Sequence, residues 1–142
     1  MLERTLAIIK PDGVRSRIIG EIIRCYEQGG LTPIAIRSTQ LTKEQAKDFY
    51  QVHRDQPFFD DLTSFMSSGL IVVLALEGEG AILRHRDLMG ATDPSKAAEG
   101  TIRKAFGSSI DCNVVHGSDA LETAGKEIEF FFSDDDLYSQ IE

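Results

Sequence analysis

The chain contains no tryptophan, four prolines and only two cysteines among its 142 residues. Two cysteines cannot build the disulfide framework of a small secreted domain, and without a CxxC pair they indicate no metal site. Cys25 and Cys112 are therefore interpreted as free thiols, which is typical of a reducing compartment. The sequence predicts a cytoplasmic protein.

Long apolar runs are missing as well. The first run extends only from Leu6 to Ile9 before Lys10 interrupts it. No stretch approaches the roughly 20 apolar residues that a membrane-spanning helix needs. We therefore expect no signal peptide and no association with a membrane.

Basic residues are scarce. Lysine and arginine number 15 against 23 aspartates and glutamates, which gives a net charge of -8, so stable binding to nucleic acid is not expected. A small phosphate ligand is not excluded, because a few cations gathered in one cleft are sufficient. The length and the 42% content of hydrophobic residues predict a single domain over residues 1–142.

The periodicity of the apolar residues predicts an α+β chain. The elements follow in the order strand, helix, strand, helical pair, strand, helix, long loop, strand and helix. Without the helical pair this is the ferredoxin-like βαββαβ order. It predicts a four-stranded antiparallel sheet covered by helices on one face, with an inserted helical hairpin and a long loop before the last strand. The predicted strands are residues 4–10, 31–41, 70–76 and 114–116, and the loop is residues 91–113.

Four local expectations accompany this fold. The Pro-Asp-Gly sequence at residues 11–13 predicts a turn that stops the first strand. Thr42 and Gln45 predict a capping box at a helix start. Ser118 predicts the N-cap of the last helix, and the acidic tail from residue 133 onward is expected to be exposed.

His116 lies between the last predicted strand and the last helix, in the sequence Asn-Val-Val-His-Gly-Ser-Asp at residues 113–119. The N–H groups of a helix N-terminus attract anions, and Gly117 allows a ligand to approach the backbone. A neutral imidazole is available at pH 7 and can attack phosphorus. This context favours a nucleophilic histidine over one that merely packs at a strand end.

Other side chains are suited to binding a nucleotide. Lys10 places an ammonium group at the edge of the predicted sheet, although the chain has no Walker A loop. Arg86 and Arg103 can bind phosphate oxygens in pairs, and Thr92 adds a hydroxyl donor. Phe58 can stack on a base. Each alone is most often an ordinary surface or core residue, but together they supply what phosphoryl transfer requires, with Mg²⁺ acting through the phosphates rather than through a protein metal site.

The sequence resembles the nucleoside diphosphate kinase family. The resemblance is carried by residues 113–119 and by Ile-Ile-Lys-Pro-Asp-Gly-Val at residues 8–14. It extends from about Arg4 to about Phe132, with further matching segments at residues 56–59, 68–70, 85–94 and 100–103.

The resemblance implies a ping-pong reaction. The γ-phosphate of a nucleoside triphosphate, typically ATP, passes to His116 and then to a nucleoside diphosphate, which maintains the pools of nucleoside and deoxynucleoside triphosphates. Phe58 is implied to stack on the base with Leu62 at its side. Ser118 and Glu127 are implied to lie behind the histidine, with Glu127 orienting its imidazole. The residues implied to bind the phosphates and the ribose 3′-hydroxyl are Lys10, Tyr50, Arg86, Thr92, Arg103 and Asn113.

The family also implies broad tolerance of bases and a homo-oligomer, either a tetramer or a hexamer built from dimers. Three positions depart from the pattern of common bacterial members. Gly13 stands where alanine is frequent, Gln56 where a basic residue is usual and Leu70 where proline is frequent. None of these departures removes a group with an implied catalytic role.

Two other classes of function are weighed against this one. A phosphohistidine carrier or interaction module without nucleotide exchange would lack a stacking ring or a phosphate cation, whereas Phe58, Arg86 and Arg103 are all present. An RNA-binding module on the same sheet topology would need paired aromatic residues on a central strand and a basic face. The predicted strand at residues 70–76 has no aromatic residue, and the net charge is -8.

Overall fold

The computed structural model describes residues 1–139, so the end of the predicted acidic tail, residues 140–142, lies outside the described range. Within that range, no helix is both long and apolar enough to cross a membrane. The strands are β1 (Leu2–Ile9), β2 (Thr32–Thr39), β3 (Ile71–Glu79) and β4 (Val115–Gly117). The α-helices are α1 (Pro11–Arg15), α2 (Ile19–Gln28), α3 (Lys43–Phe49), α4 (Phe59–Met66), α5 (Ala81–Met89), α6 (Ile102–Phe106) and α7 (Leu121–Phe131). Short 3₁₀ turns cover Gln51–His53, Pro94–Lys96 and Asp134–Asp136.

The four strands form one antiparallel sheet in the order β2-β3-β1-β4. β1 pairs with β3 along its whole length and with β4 at its end, where Ile8 lies opposite His116. The helical pair α3 and α4 is inserted between β2 and β3, and a long loop precedes β4. The predicted ferredoxin-like α+β fold is therefore confirmed.

The sheet is covered by helices on both faces. Leu6 and Ile8 of β1 belong to a core cluster that includes residues of α3, α4 and α7. Ala7 and Ile9 belong to a second cluster that includes residues of α2, α5 and α6. The expectation of helices on one face is wrong in this detail, because the inserted pair and α7 cover the other face. Since both faces are buried, β1 and β3 are apolar at successive positions.

Two predicted boundaries are wrong. Pro11 begins the short helix α1 instead of a turn, because its fixed φ angle suits the first helical position. α7 begins at Leu121 after Ala120, so Ser118 is not its N-cap. Ser118 is fully buried. Its hydroxyl accepts a hydrogen bond from the N–H of Leu6 at 3.3 Å and donates one to Glu127 at 2.8 Å. The N-terminus of α7 consequently lies several residues beyond the histidine.

The acidic tail is anchored over its described part. The N–H of Tyr138 donates to the carbonyl of Ile34 at 3.2 Å, and Arg37 reaches Asp136 at 3.4 Å. The side chains of residues 133–135 are exposed, as expected. The prediction of an exposed tail is therefore correct for these side chains but wrong for the backbone, which the edge of the sheet holds.

The predicted capping box at the start of α3 is confirmed. The hydroxyl of Thr42 accepts from the N–H of Gln45 at 3.1 Å, and the N–H of Thr42 donates to the Gln45 side chain at 2.9 Å. We expect Thr42→Ala to lower the free energy of unfolding by about 1 kcal/mol, because the first turn of α3 loses an acceptor. Thr42→Ser keeps the hydroxyl and is the matched control. Urea denaturation of both variants checks this, and equal stability of the two would contradict it.

Candidate active site

A cavity of about 500 Å³ opens beside the end of β1, β4 and the inserted helical pair. Most residues predicted to act in phosphoryl transfer line it: Lys10, Tyr50, Leu62, Arg86, Thr92, Arg103, Asn113, His116 and Glu127. The strand pairing of the sheet explains why residues that are distant in the sequence lie together here. Because β4 pairs with the end of β1, the residue that follows β1 lies beside the loop that precedes β4.

The imidazole of His116 is fixed on one side by a carboxylate. Its Nε2 lies 2.8 Å from Oε1 of Glu127 on α7, and the hydroxyl of Ser118 donates to the same oxygen at 2.8 Å. An ionised carboxylate only accepts hydrogen bonds, so Nε2 carries the proton and Nδ1 keeps its lone pair. No residue in the range 1–139 forms a hydrogen bond with Nδ1. The unprotonated nitrogen is therefore the one available to a ligand.

Aromatic rings hold the imidazole as well. Phe49 and Tyr50 make edge contacts with His116, with ring centroids 5.4 Å and 5.8 Å away. The hydroxyl oxygen of Ser118 in turn accepts from the N–H of Leu6 in β1 at 3.3 Å. The ring plane is thus set by the sheet, by α7 and by the end of α3 together.

Tyr50 brings a hydroxyl group to the same cavity. Its side chain is 6% exposed, and its hydroxyl is buried without a hydrogen-bond partner among residues 1–139. Burial, reinforced by the nearby charge of Glu127, raises the pKa of Tyr50. The hydroxyl therefore stays neutral and can donate to an acceptor in the cavity.

Two buried cations line the same cavity. Lys10 and Arg103 are each 8% exposed, and neither forms an ion pair within residues 1–139. The Lys10 ammonium donates to Oδ1 of Asn113 at 2.8 Å. Arg103 donates to the carbonyls of Gly90, Asn113 and Val115. Burial and the neighbouring Arg103 lower the pKa of Lys10 to about 8. Such charges are costly to bury without an anion, so their position points to a site for one.

Arg86 and Thr92 complete the polar lining. Arg86 on α5 donates to Asp119 at 2.6 Å, and both side chains are well exposed at the mouth of the cavity. Thr92 accepts through its carbonyl from the amide of Asn113 at 3.0 Å. The amide of Asn113 thus links the lysine to the long loop.

Two predicted residues lie outside the cavity lining. Ser118 is buried behind His116 and acts on it only through Glu127. Phe58 is 44% exposed, and its ring centroid lies 5.5 Å from that of His53, which does line the cavity. Phe58 therefore lies at the rim of the cavity, where its ring can stack on a flat group that extends out of the cavity.

Sequence reasoning missed the contributions of His53, Phe49 and Asp119 to this cavity. In the sequence, Phe49 and His53 fit an apolar helical face together with Tyr50, and Asp119 fits a helix start. A helical pattern shows which residues share a face, but it does not show that this face turns toward a strand far along the chain. The spacing of Tyr50 and His53, which are three residues apart, was the one available signal that both follow the same surface.

Gly117 has a packing role besides the one predicted for it. A Cβ atom there would lie 2.6 Å from Nδ1 of His85 and 2.6 Å from the methyl group of Met89. His85 is fully buried and shares a hydrogen bond of 3.1 Å with the hydroxyl of Tyr26. Burial lowers the pKa of His85 to about 3, so the ring is neutral. The glycine is therefore required by the packing of α5 behind β4, whatever a ligand needs.

Residues 3–137 match the family described as nucleoside diphosphate kinase. The chain belongs to the nucleoside diphosphate kinase family. A nucleoside diphosphate kinase of Campylobacter jejuni subsp. doylei is 56% identical over 137 residues, which cover 96% of this chain and 100% of that protein. One of Myxococcus xanthus is 56% identical over 138 residues, which cover 97% of this chain and 95% of the relative.

Solved nucleoside diphosphate kinases have the same fold. The enzyme of Aquifex aeolicus is similar with a TM-score of 0.95 and 42% identity, over 97% of this chain and 100% of that one. The enzyme of Halobacterium salinarum, solved in complex with CDP, gives a TM-score of 0.94 and 40% identity, over 100% of this chain and 95% of that one. The predicted family is confirmed, and with it an enzyme that transfers phosphate between nucleotides.

The buried charge of Lys10 leads to a prediction about how stability depends on pH. Its pKa in the folded chain is about 8, below the ordinary 10.5, so the unfolded chain holds the proton more tightly. Below pH 8 the buried charge opposes folding, and this penalty disappears as the pH rises from about 8 to 10.5. We expect the wild type to gain stability relative to Lys10→Met across this window, on the order of 1–3 kcal/mol. Urea denaturation at both ends of the window measures it, and a constant difference would contradict the assignment.

Proposed function

We propose that His116 carries the phosphoryl group between a nucleoside triphosphate and a nucleoside diphosphate. The observation that carries this proposal is the imidazole itself. Its proton is held on Nε2 by Glu127, and His116 lines a cavity that is also lined by two buried cations, Lys10 and Arg103. A nucleophile and the charges that neutralise a phosphate are thereby placed in one cavity.

The first half-reaction follows from this geometry. Nδ1 forms a bond to the γ-phosphorus while the bond from that phosphorus to the bridging oxygen breaks, and the nucleoside diphosphate leaves with the electron pair. The ring becomes positively charged, and the carboxylate of Glu127, 2.8 Å from Nε2, stabilises this charge without taking the proton. In the second half-reaction a terminal oxygen of another nucleoside diphosphate attacks the same phosphorus, and the imidazole leaves neutral.

The cations and the tyrosine act on the transferring group. Lys10 and Arg103 supply fixed positive charge where negative charge spreads over the phosphoryl oxygens, and the hydroxyl of Tyr50 donates a hydrogen bond there. Arg86 joins them by exchanging its bond to Asp119 for one to a phosphate. Both partners of that pair are well exposed, so the exchange costs little, about 0–1 kcal/mol for such pairs.

The remaining lining residues orient the nucleotide. Asn113, already linked to Lys10, is assigned with Thr92 to the sugar and the phosphates. Phe58 at the rim is assigned to the face of the base, with Leu62 at its side. The CDP complex of the Halobacterium salinarum relative supports a nucleoside diphosphate as ligand. Stacking does not read the edges of a base, so broad base tolerance is expected.

Mg²⁺ is proposed to arrive with the nucleotide. Residues 1–139 contain no group of three or more histidine, cysteine, aspartate or glutamate side chains placed to hold a metal ion. In the cavity, the carboxylate of Glu127 is already occupied because it accepts hydrogen bonds from His116 and Ser118. These residues fit an ion whose ligands are mainly phosphate oxygens and water, where it supplies charge neutralisation.

We further infer a homo-oligomer built from dimers, tetrameric or hexameric. The strand β2 is an edge of the sheet that the tail binds at Ile34. The side chain of Ile36 on this strand is 54% exposed, and this exposed apolar side chain on an edge strand supports contact with a second copy. Cytoplasmic location and the lack of stable nucleic-acid binding stay predictions from the composition.

Incubation with γ-labelled ATP and Mg²⁺ is expected to give an acid-labile protein phosphate that an excess of dTDP removes. His116→Ala should form none of it and should show no transfer from ATP to dTDP in a coupled assay, because the nucleophile is gone. Thermal unfolding shows whether the variant is folded. Label that forms on the variant, or that stays on the wild type after dTDP is added, would contradict the proposal.

Lys10→Ala is expected to lose roughly 10²–10³ in kcat/KM, the loss seen when one donor to a developing charge is removed. The matched control is Lys104→Ala, which removes an exposed lysine next to Arg103 on α6. Steady-state rates with ATP and dTDP measure both variants. Equal losses in the two would mean that the effect is one of net charge and not of position.

A further inference from the structure

Val114 has a left-handed backbone with a φ angle of 63°. A β-branched residue rarely adopts this conformation, and such strain persists only where the surrounding structure fixes it, often at functional sites. Val114 stands directly between Asn113, which binds the Lys10 ammonium, and the strand that carries His116. Its conformation therefore decides how these two parts of the site face each other.

Besides the N–H of Val115, which donates to the carbonyl of Asn113 within the same turn at 2.8 Å, three groups from other segments bind the backbone around this residue. The carboxylate of Asp12 accepts the N–H of Val114 at 3.1 Å, and the N–H of Lys10 donates to the carbonyl of Val114 at 2.8 Å. Arg103 donates to the carbonyls on either side, those of Asn113 at 3.4 Å and Val115 at 2.7 Å. Of these groups, the lysine N–H belongs to the backbone and the arginine already has a place in the cavity. The carboxylate of Asp12 is the group among these that has no role in the proposed mechanism.

Asp12 does not line the cavity. Its Oδ2 accepts from Val114, and its Oδ1 is buried without a hydrogen-bond partner among residues 1–139. Its charge nevertheless acts on Lys10. It raises the pKa of the lysine, as Cys112 and Asp111 also do, against the larger lowering by burial and by Arg103.

We propose that Asp12 is a positioning residue for phosphoryl transfer, whose carboxylate holds Val114 in its left-handed conformation and thereby sets Asn113 against Lys10 and places the strand of His116. This inference rests on the roles proposed above for Lys10 and His116. Asp12 touches no reacting atom, so it acts on the site through the Val114 peptide group and through its charge on Lys10.

The first test is a double-mutant cycle. Asp12→Ala removes the acceptor and is expected to lower kcat by roughly 10–100-fold, as small displacements of reacting groups do. Glycine adopts the left-handed conformation without strain. The kcat of Asp12→Ala/Val114→Gly is therefore expected to be roughly tenfold higher than that of Asp12→Ala. Val114→Gly alone supplies the reference. Full activity of Asp12→Ala, or no recovery in the double variant, would overturn the inference.

The second test uses Asp12→Asn, whose amide oxygen can still accept from Val114 but carries no charge. We expect it to lose less kcat at pH 7 than Asp12→Ala. Without the carboxylate charge the ammonium of Lys10 loses its proton at a lower pH, so the alkaline limb of kcat/KM should move to lower pH. A loss of kcat in Asp12→Asn as large as that in Asp12→Ala would overturn the positioning role, and an unmoved limb would overturn the action of the carboxylate charge on Lys10. The limb is the deciding measurement if Asp12→Ala does not fold.

Two controls complete the design. Glu44→Ala removes an exposed carboxylate from the first turn of α3, outside the cavity lining, and is expected to leave both the rate and the pH profile unchanged. His116→Ala is measured in parallel. Transfer that persists in His116→Ala would defeat the proposed function, whereas no transfer there together with full activity in Asp12→Ala would defeat only the inference about Asp12.

Discussion

Lys10 and Arg103 are buried cations that both donate hydrogen bonds to Asn113. Within residues 1–139 no carboxylate forms an ion pair with either of them. Keeping such charges away from water opposes folding. Hydrogen bonds to Asn113 and to backbone carbonyls offset part of this penalty. The proposed phosphate ligand offsets more of it, so part of this electrostatic penalty on folding is recovered as affinity when the ligand binds. The site is thus built for its anion before the anion arrives.

The central strand β1 provides the frame for this arrangement. Its residues are buried on both faces, so its position is fixed by two separate core clusters. The N–H of Leu6 holds Ser118, Ile8 lies opposite His116, and Lys10 follows the last residue of the strand. The proposed nucleophile His116, the hydroxyl of Ser118 behind it and the proposed phosphate-binding Lys10 are therefore all positioned by one strand.

Most of the fold was predictable because it depends on local periodicity. The cap at Thr42 and the order of strands and helices could be predicted from residues that are close together in the sequence. The cavity residues were recognised through motifs, not through contacts. What the sequence could not reveal are pairings across the fold, such as the hydrogen bond from the N–H of Leu6 to Ser118 and the packing of His85 under Gly117. These depend on the register of β4 against β1, which is set by tertiary packing rather than by either segment alone.

The pairing of β1 with β4 has a consequence for biosynthesis. Leu6 and Ser118, which are hydrogen-bonded, are 112 residues apart, so closing this contact requires ordering almost the entire chain. During translation the first strand leaves the ribosome long before its partner exists, and until then one edge of β1 is unpaired. A nascent chain therefore cannot have a working site. The interval before release is also the period in which that open edge is most exposed to wrong association.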